Sequence, residues 1–548
     1  MDKIGARSAY LEGCCDGLNM NTPSVGANKE DLDFNQSFQH ALELLEKTHQ
    51  HVFITGRAGT GKSTLLQYFR DHTYKSVVVL APTGVAAVNI QGQTIHSFFR
   101  FKPDISPEAV ALIKLRPSQK EIYRKLKTLI IDEISMVRAD LLDSIDTFLR
   151  RYGPNPRQPL GGVQIVMFGD LYQLPPVVTP EEKKIFKDIY PSPYFFDAKV
   201  IRHLDMAFIE LEKIYRQKDV TFINLLNAIR NNSVEEKTLR LLNERYLPHF
   251  VPKEEDFYIY LTTTNVRADE INLERLGQLP METYHYEGKM TGAFERKSLP
   301  THVDLELKVG AQVMLLNNDP TGRWINGTIG KILSIEIRKN KEDVIQVELA
   351  EGERVEVVPF TWEMYRFSLD EESGEITSEV TGSFTQYPLR LAWAVTIHKA
   401  QGKTFSKVII DIDRGTFSHG QIYVALSRST SLEGIVLKKP IQKRHILMDW
   451  RVVEFLTRYQ YRKSEQMCSL EEKRKILETA IADGREIEIV YLKPNDEKSR
   501  RVIAPRFVGE MEYLGKTYFG VEGYCPNRGG LRVFRLDRIL EIHTERRD

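Results

Sequence analysis

Residues Phe53–Leu66 read FITGRAGTGKSTLL: an apolar run, a glycine-rich turn and the start of a helix. Within it, Gly56-Arg57-Ala58-Gly59-Thr60-Gly61-Lys62-Ser63 fits the spacing G-x-x-x-x-G-K-[ST]. The glycines let backbone N–H groups turn inward toward phosphate oxygens. The helix that follows presents its positive end to the same anion. Lys62 is placed to reach the outer phosphates and Ser63 to hold Mg²⁺. Ala58, Thr60 and Thr64 complete the loop around them. A turn of this kind belongs between a strand and a helix of an α/β sheet, so ATP with Mg²⁺ is the expected ligand.

Further apolar strands recur with helical segments between them: SVVVLA, LKTLIIDE and VQIVMFGD, besides HVFIT before the loop. Near-continuous apolar strands suit a parallel sheet covered on both faces. Asp132 ends one of these strands, where a carboxylate can sit beside the metal; Glu133 follows and is the candidate to orient or deprotonate an attacking water. FGDLYQLPPV ends another strand and places Gln173 where a side chain can sense the γ-phosphate.

The chain has 548 residues, which at roughly 100–200 residues per domain predicts three to five domains. The formal net charge is +1, so any nucleic-acid contact must come from a local groove and not from bulk charge. Four cysteines, Cys14, Cys15, Cys468 and Cys525, lack disulfide-framework and zinc spacing. No stretch reaches the roughly 18 apolar residues of a membrane span, and the first 30 residues lack the order of a secretory leader. These features predict a reduced, cytoplasmic setting without a membrane.

Along the chain, 1–30 reads as a flexible tail and about 34–48 as a helix. A first α/β unit spans 31–208, with an insertion at about 100–127. A second spans 209–450 and holds a strand- and turn-rich insertion at about 300–385. A charged helical connector at 451–475 leads to a β-rich unit at 476–548.

A triphosphate loop alone would also suit a kinase or a GTPase. APTGVAAVNIQGQTIHSFF offers Pro82, Thr83, Gly84, His96 and Ser97, with Phe98 and Phe99 beside them, a mixture suited to a nucleic-acid backbone with stacked bases. Each phenylalanine also fits a core position. IYRQKD, LAWAVTIHKAQGKTF and YVALSRS follow in order. Together with GRAGTGKS, LIIDEISMV and GGVQIVMFGDLYQLPPV, these stretches resemble superfamily-one helicases of the B type, and within them the Pif (petite integration frequency) family of DNA helicases. The resemblance spans about residues 33–435, and RecD-like helicases are close relatives. It implies two RecA-like motor domains with parallel sheets, an inserted small β-domain and an ATP-driven motor. It implies that Gln36 reads the adenine edge, that Gln173 meets the γ-phosphate or the water, and that Arg216 and Arg428 reach the γ-phosphate from the second motor domain. It places Thr396, His398 and Lys399 on the strand, beside Pro82, Thr83, Gly84, His96, Ser97 and Phe98 of the first domain. Gln401, Gly402 and Thr404 would join the ATP cleft to the strand, with Gly402 at the nucleotide. Trp393 reads as core. The resemblance also implies 5′ to 3′ movement on single-stranded DNA, forked or structured DNA as substrate, and 100–127 as a wedge.

The last unit, with VYLKP, RRVIAP, YFGVEGYC and LRVFRLDRI, resembles a WYL domain, a β-rich module linked to nucleic-acid or nucleotide ligands. Tyr491, Arg501, Arg532, Arg535 and Arg538 could form a phosphate-and-base site there; strand alternation that exposes arginines and buries aromatics explains them equally well. The module implies a bacterial source and a nucleoid-associated, cytoplasmic setting. The expected protein is monomeric in solution, with replication or repair proteins as further partners. Two other functions stay open: a DNA-binding ATP switch that does not unwind, and an RNA helicase.

Overall fold

The computed structural model describes residues 35–544 except 103–104, 179–181, 183–185, 187, 340, 371–374, 414, 514 and 527–528. The expected tail at 1–30, with Cys14 and Cys15, lies outside the described residues.

Six strands form the first parallel sheet, in spatial order Gln93–Thr94, Val77–Ala81, Thr128–Ile131, Gln164–Phe168, His51–Gly56 and Met206–Leu211. Successive residues of the strand His51–Gly56 enter opposite cores, as a doubly covered sheet requires. Phe53 joins Phe99, Phe148 and Phe195 on one face. Val52 and Ile54 pack on the other with Phe38, Leu45, Leu65 and Phe69 of helices Gln36–Lys47 and Lys62–His72. Because the strands are parallel, their carboxyl ends share one edge. The chain just after Gly56, Ala81, Ile131, Phe168 and Leu211 therefore meets there.

Strand Met206–Leu211 crosses the expected boundary at 208/209. It pairs along its whole length with the strand before the phosphate loop, Thr55 opposite Glu210 and Gly56 opposite Leu211. It is an edge strand with alternating burial, which is why its sequence reads unlike the apolar inner strands.

A second parallel sheet holds Ala394–Thr396, Ile259–Thr262, Val408–Asp411 and Ile435–Leu437. The β insertion between its strands runs from Tyr284 to Leu391, wider than the expected 300–385. It contains a five-stranded antiparallel sheet and a long hairpin, Phe360–Leu369 with Ile376–Gln386. That hairpin reaches back to the first motor unit: Phe367 N donates to Gln93 Oε1 at 3.3 Å, and the rings of Phe367 and Phe98 meet edge to face at 6.1 Å.

The expected single connector is two helices, Trp450–Met467 and Leu470–Ala482, broken at Cys468–Ser469. Ser469 and Glu472 form a reciprocal cap that starts the second helix. This helix buries Leu477 and Ala480 against the final antiparallel sheet, so it belongs to the C-terminal unit. That sheet runs Gly530–Arg535, Lys516–Cys525, Lys498–Tyr513, Ile487–Leu492 and Ile539–His543 in spatial order. Among the described residues, no helix is long and apolar enough to cross a membrane.

Candidate nucleotide site and strand track

Gly59 and Gly61 hold φ values of 79° and 85°, the left-handed region in which a side chain is strained. At Gly59 space forbids one as well, since a Cβ would lie 2.5 Å from the Cβ of Arg216. Lys62 opens the helix and turns back over the loop, donating from Nζ to Gly56 O at 2.8 Å and Arg57 O at 3.0 Å. Burial lowers its pKa, opposed by Asp170, Glu133 and Asp132. Ser63 and Thr64 are exposed at the helix start, while Ala58 and Thr60 are buried. Gln36 is exposed in the first turn of helix Gln36–Lys47, whose Phe38 ring approaches the Gly61 position to 3.6 Å. The preceding Asn35 donates to the Tyr215 hydroxyl at 3.2 Å.

Asp132 and Glu133 follow the strand Thr128–Ile131. Burial raises the pKa of Asp132. Burial, with Asp132 alongside, pushes Glu133 up to about 7. Gln401 of the second motor unit donates to Glu133 Oε2 at 2.9 Å. Gln173 is buried and donates to Asp170 Oδ2 at 3.3 Å.

Two guanidinium groups close this site. Arg216 donates to Ser427 O at 3.1 Å and to Gly402 O at 3.5 Å, while its backbone neighbour Tyr215 N donates to Gly59 O at 2.8 Å. Arg428 is 1% exposed and is held by Val424 O, Lys403 O and Ser427 Oγ at 2.9–3.1 Å. Burial, then Arg216 as a like charge, pulls it down to about 9. A buried cation beside a half-buried one is costly without an anion between them. The loop glycines, Lys62, the guanidinium pair and the two carboxylates together fit a magnesium-bound triphosphate.

Sequence reasoning gave no role to two residues that lock this arrangement. Tyr423 OH accepts from Ala58 N at 3.1 Å and donates to Asp170 Oδ2 at 3.3 Å, tying the second unit to the phosphate loop. Arg230 is buried, 3.5 Å from Asp170. Tyr423 lies within YVALSRS and could have been picked out there; Arg230 ends a helix and carries no local signal.

The residues expected at the strand lie on both motor units. Thr83 is exposed and caps helix Gly84–Asn89, beside half-buried Pro82. Gly84 lies under Ser298 of the β insertion, so that a Cβ there would sit 1.9 Å from Ser298 Oγ. His96 is half-buried, and Ser97 Oγ accepts from Gln93 Nε2 at 2.8 Å. Phe98, expected at the strand, is instead a core side chain. It is 4% exposed and wedged edge to face against Phe99 and Tyr123. On the second unit, Thr396 and Lys399 line a cavity of about 370 Å³ with Asn265, Asp269 and Arg390. His398 lies parallel to the exposed ring of Phe417, centroids 6.3 Å apart. Trp393 is half-buried and packs beside Ala268 and Ala394.

In the C-terminal unit, the Tyr491 ring meets Phe534 edge to face at 5.2 Å. Arg535 is already paired with Asp537 at 2.6 Å and stacked over Tyr518. Arg501, opposite Ile489, and exposed Arg532, opposite Gly523, stand on strands separated by the strand Lys516–Cys525.

Comparison with known proteins agrees with this geometry. A family model for PIF1-like helicases matches residues 33–240, one for the UvrD-like helicase C-terminal domain matches 391–436, and one for the WYL domain matches 472–544. The ATP-dependent DNA helicase Pif1 of Bdellovibrio bacteriovorus is 31% identical, over 78% of this chain and 93% of that protein. The human ATP-dependent DNA helicase PIF1 is 34% identical over 70% of this chain. The chain spans 58–66% of the length of three eukaryotic relatives, human PIF1 among them. The crystal structure of Bacteroides sp Pif1 with ADP-AlF4 matches at a TM-score of 0.71 and 38% identity, over 78% of this chain and 98% of that one. The unliganded Bacteroides protein gives 0.70 and its complex with single-stranded DNA 0.55. The units here are thus arranged more as in the DNA-free protein.

Proposed function

Because the chain belongs to the PIF1-like helicase family, we propose that it is an ATP-dependent DNA helicase that moves 5′ to 3′ on single-stranded DNA and separates forked or structured duplexes. The observation that carries this reading is the position of Arg216, whose Cβ lies against Gly59 of the phosphate loop while its guanidinium is held by Ser427 O, next to Arg428. Arg428 belongs to the second motor unit, and the Arg216 guanidinium is held by that unit's carbonyls.

Ser63 and Asp132 would hold Mg²⁺, which when bound neutralises phosphate charge during transfer. Lys62 leaves its two loop carbonyls for the outer phosphates. Glu133, held by Gln401, takes the proton of the attacking water. Arg216 and Arg428 stabilise charge on the transferring group, a contribution of roughly 10³–10⁵ in rate. They do so only when the two units are closed on one another. Gln401 lies five residues beyond Thr396, so closure also moves the segment that faces the strand. Alternate grip by Thr83 and Ser97 on one unit and Thr396 and Lys399 on the other then advances the strand.

The hairpin Phe360–Gln386 covers Gln93, the partner of Ser97, so the strand enters by displacing it. The insertion at 100–127 forms helices Pro107–Val110 and Pro117–Lys125, with Leu112 80% exposed between them. It is the candidate wedge. A variant lacking that tip should keep DNA-stimulated ATPase and lose unwinding.

The test is strand separation on a 5′-tailed fork with ATPase measured in parallel. Separation that needs the 5′ tail, ATP and Mg²⁺ supports the reading. Strong DNA-stimulated ATPase with no separated strands would favour a switch, a reading to which the seating of the WYL domain against the motor also points.

A further inference from the structure

Strands Ile487–Leu492 and Lys498–Tyr513 of the C-terminal sheet are joined by a tight turn in which Asp496 adopts a φ of 61°. Lys493 N donates to Glu497 O at 2.9 Å and Asp496 N to Lys493 O at 3.1 Å, closing the turn. It is seated on the motor. Asp496 Oδ2 accepts from Tyr172 OH at 2.8 Å. The Tyr172 ring is 1% exposed and carries the Arg230 guanidinium 3.9 Å from its centre.

Arg230 ends helix Val220–Arg230, which packs on helix Gln421–Leu426 of the second motor unit. Tyr172 and Asp170 follow a strand of the first unit. The contacts of Asp170 with Arg230 and with Tyr423 therefore cross the junction between the units, and Tyr423 continues to the backbone of the phosphate loop. Two residues beyond Asp496, Lys498 Nζ donates to Glu210 at 2.8 Å and Glu212 at 2.7 Å. These carboxylates sit on and just after the strand that flanks the phosphate loop and leads to Arg216.

We infer that the turn Lys493–Lys498 clamps the motor junction, with Asp496 and Lys498 as positioning residues that favour the ATP-closed arrangement. Displacing the C-terminal unit from the motor therefore lowers the apparent affinity for ATP. The inference rests on the proposed closure of the two units around ATP. Without Asp496, the buried Tyr172 hydroxyl, whose ring carries the Arg230 guanidinium, loses its acceptor. In a connected network such losses are shared among its members. A hydrogen bond of ordinary strength corresponds to about three- to tenfold in an equilibrium.

The test uses the full chain at pH 7.5 with saturating single-stranded DNA and ATP varied. Asp496→Gly keeps the left-handed backbone and removes the carboxylate. Asp496→Asn keeps both the backbone and an acceptor for Tyr172. The expected result is that Asp496→Gly raises KM for ATP about three- to tenfold with kcat within about twofold, and that Asp496→Asn stays within about twofold of the parent in both. An unchanged KM in Asp496→Gly, or a fall in kcat alone, overturns the inference. A parent with no ATPase would sink the helicase reading and leave the clamp to be read without nucleotide. Amide exchange at 168–173 and 493–498 should then be at least about threefold faster in Asp496→Gly; equal exchange overturns the clamp.

Discussion

Gln401 donates from Nε2 to Glu133 Oε2 at 2.9 Å, joining the segment proposed to face the strand to the carboxylate proposed to act on the water. The two residues are 268 apart in sequence and come from different motor units. Removing the amide in Gln401→Ala should lower DNA-stimulated ATPase about tenfold, the scale of one charge-assisted hydrogen bond. Nucleotide-free affinity for single-stranded DNA should stay within about twofold. Fluorescence anisotropy and a coupled ATPase assay measure both.

Arg428→Ala should lose at least about 10³ in ATP turnover. Its DNA binding should persist, because Arg428 is held by carbonyls of its own unit. Lys62→Ala should abolish turnover. Parent-level turnover in Arg428→Ala would remove that arginine from the site.

Tyr423→Phe should destabilise the protein by about 1–3 kcal/mol, because both Ala58 N and Asp170 lose a buried partner. Urea unfolding of the ligand-free protein measures it. A midpoint equal to that of the parent would show that the hydroxyl does not tie the units together.

Seating of the C-terminal turn should be strongest in mild acid. Burial, partly offset by Arg230, Tyr172 and Lys498, pushes Asp496 up to about 6, and Glu210 adds to the rise. Its pKa is higher docked than free, so the proton-linked part of its contribution is present below about 3.8 and is lost as pH rises through about 6, above which the ionised carboxylate remains as the acceptor of Tyr172. Glu210 behaves oppositely. Burial works against its charge, but Lys498 and Arg230 hold it down to about 2. Its contribution is present above about 4.5 and is lost as pH falls toward about 2. Amide exchange of 493–498 should therefore slow from pH 7 to about 4.5, after correction for the intrinsic exchange rate. Asp496→Asn should flatten that change.

The phosphate loop is legible in sequence because its geometry is local: the glycines, Lys62 and Ser63 lie within one turn and the start of the helix after it. The edge at which Asp132, Gln173 and Arg216 meet was legible in outline, since apolar strands imply a parallel sheet with a shared carboxyl edge. The end of the first unit is harder to read at Met206–Leu211, because an edge strand alternates like the β insertion and not like the inner strands. Phe98 shows the opposite limit. An aromatic residue beside polar ones reads as a stacking surface, and only the packing of Phe99, Tyr123 and Phe367 around it shows that it is core. Arg230 and Asp496 were invisible because their partners lie 60 and 324 residues away. No spacing rule links a hairpin turn to a motor junction.

The central claim is that two units clasp one triphosphate and pass the clasp to a strand. A crystal structure with a magnesium-bound ATP analogue and 5′-tailed DNA tests it most directly. The Arg216 and Arg428 guanidinium nitrogens should lie about 2.7–3.1 Å from γ-phosphate oxygens, with the strand lying across Thr83 and Thr396. Both guanidinium groups still bound to the carbonyls of Ser427 and Val424, with the nucleotide held by the first unit alone, would contradict it.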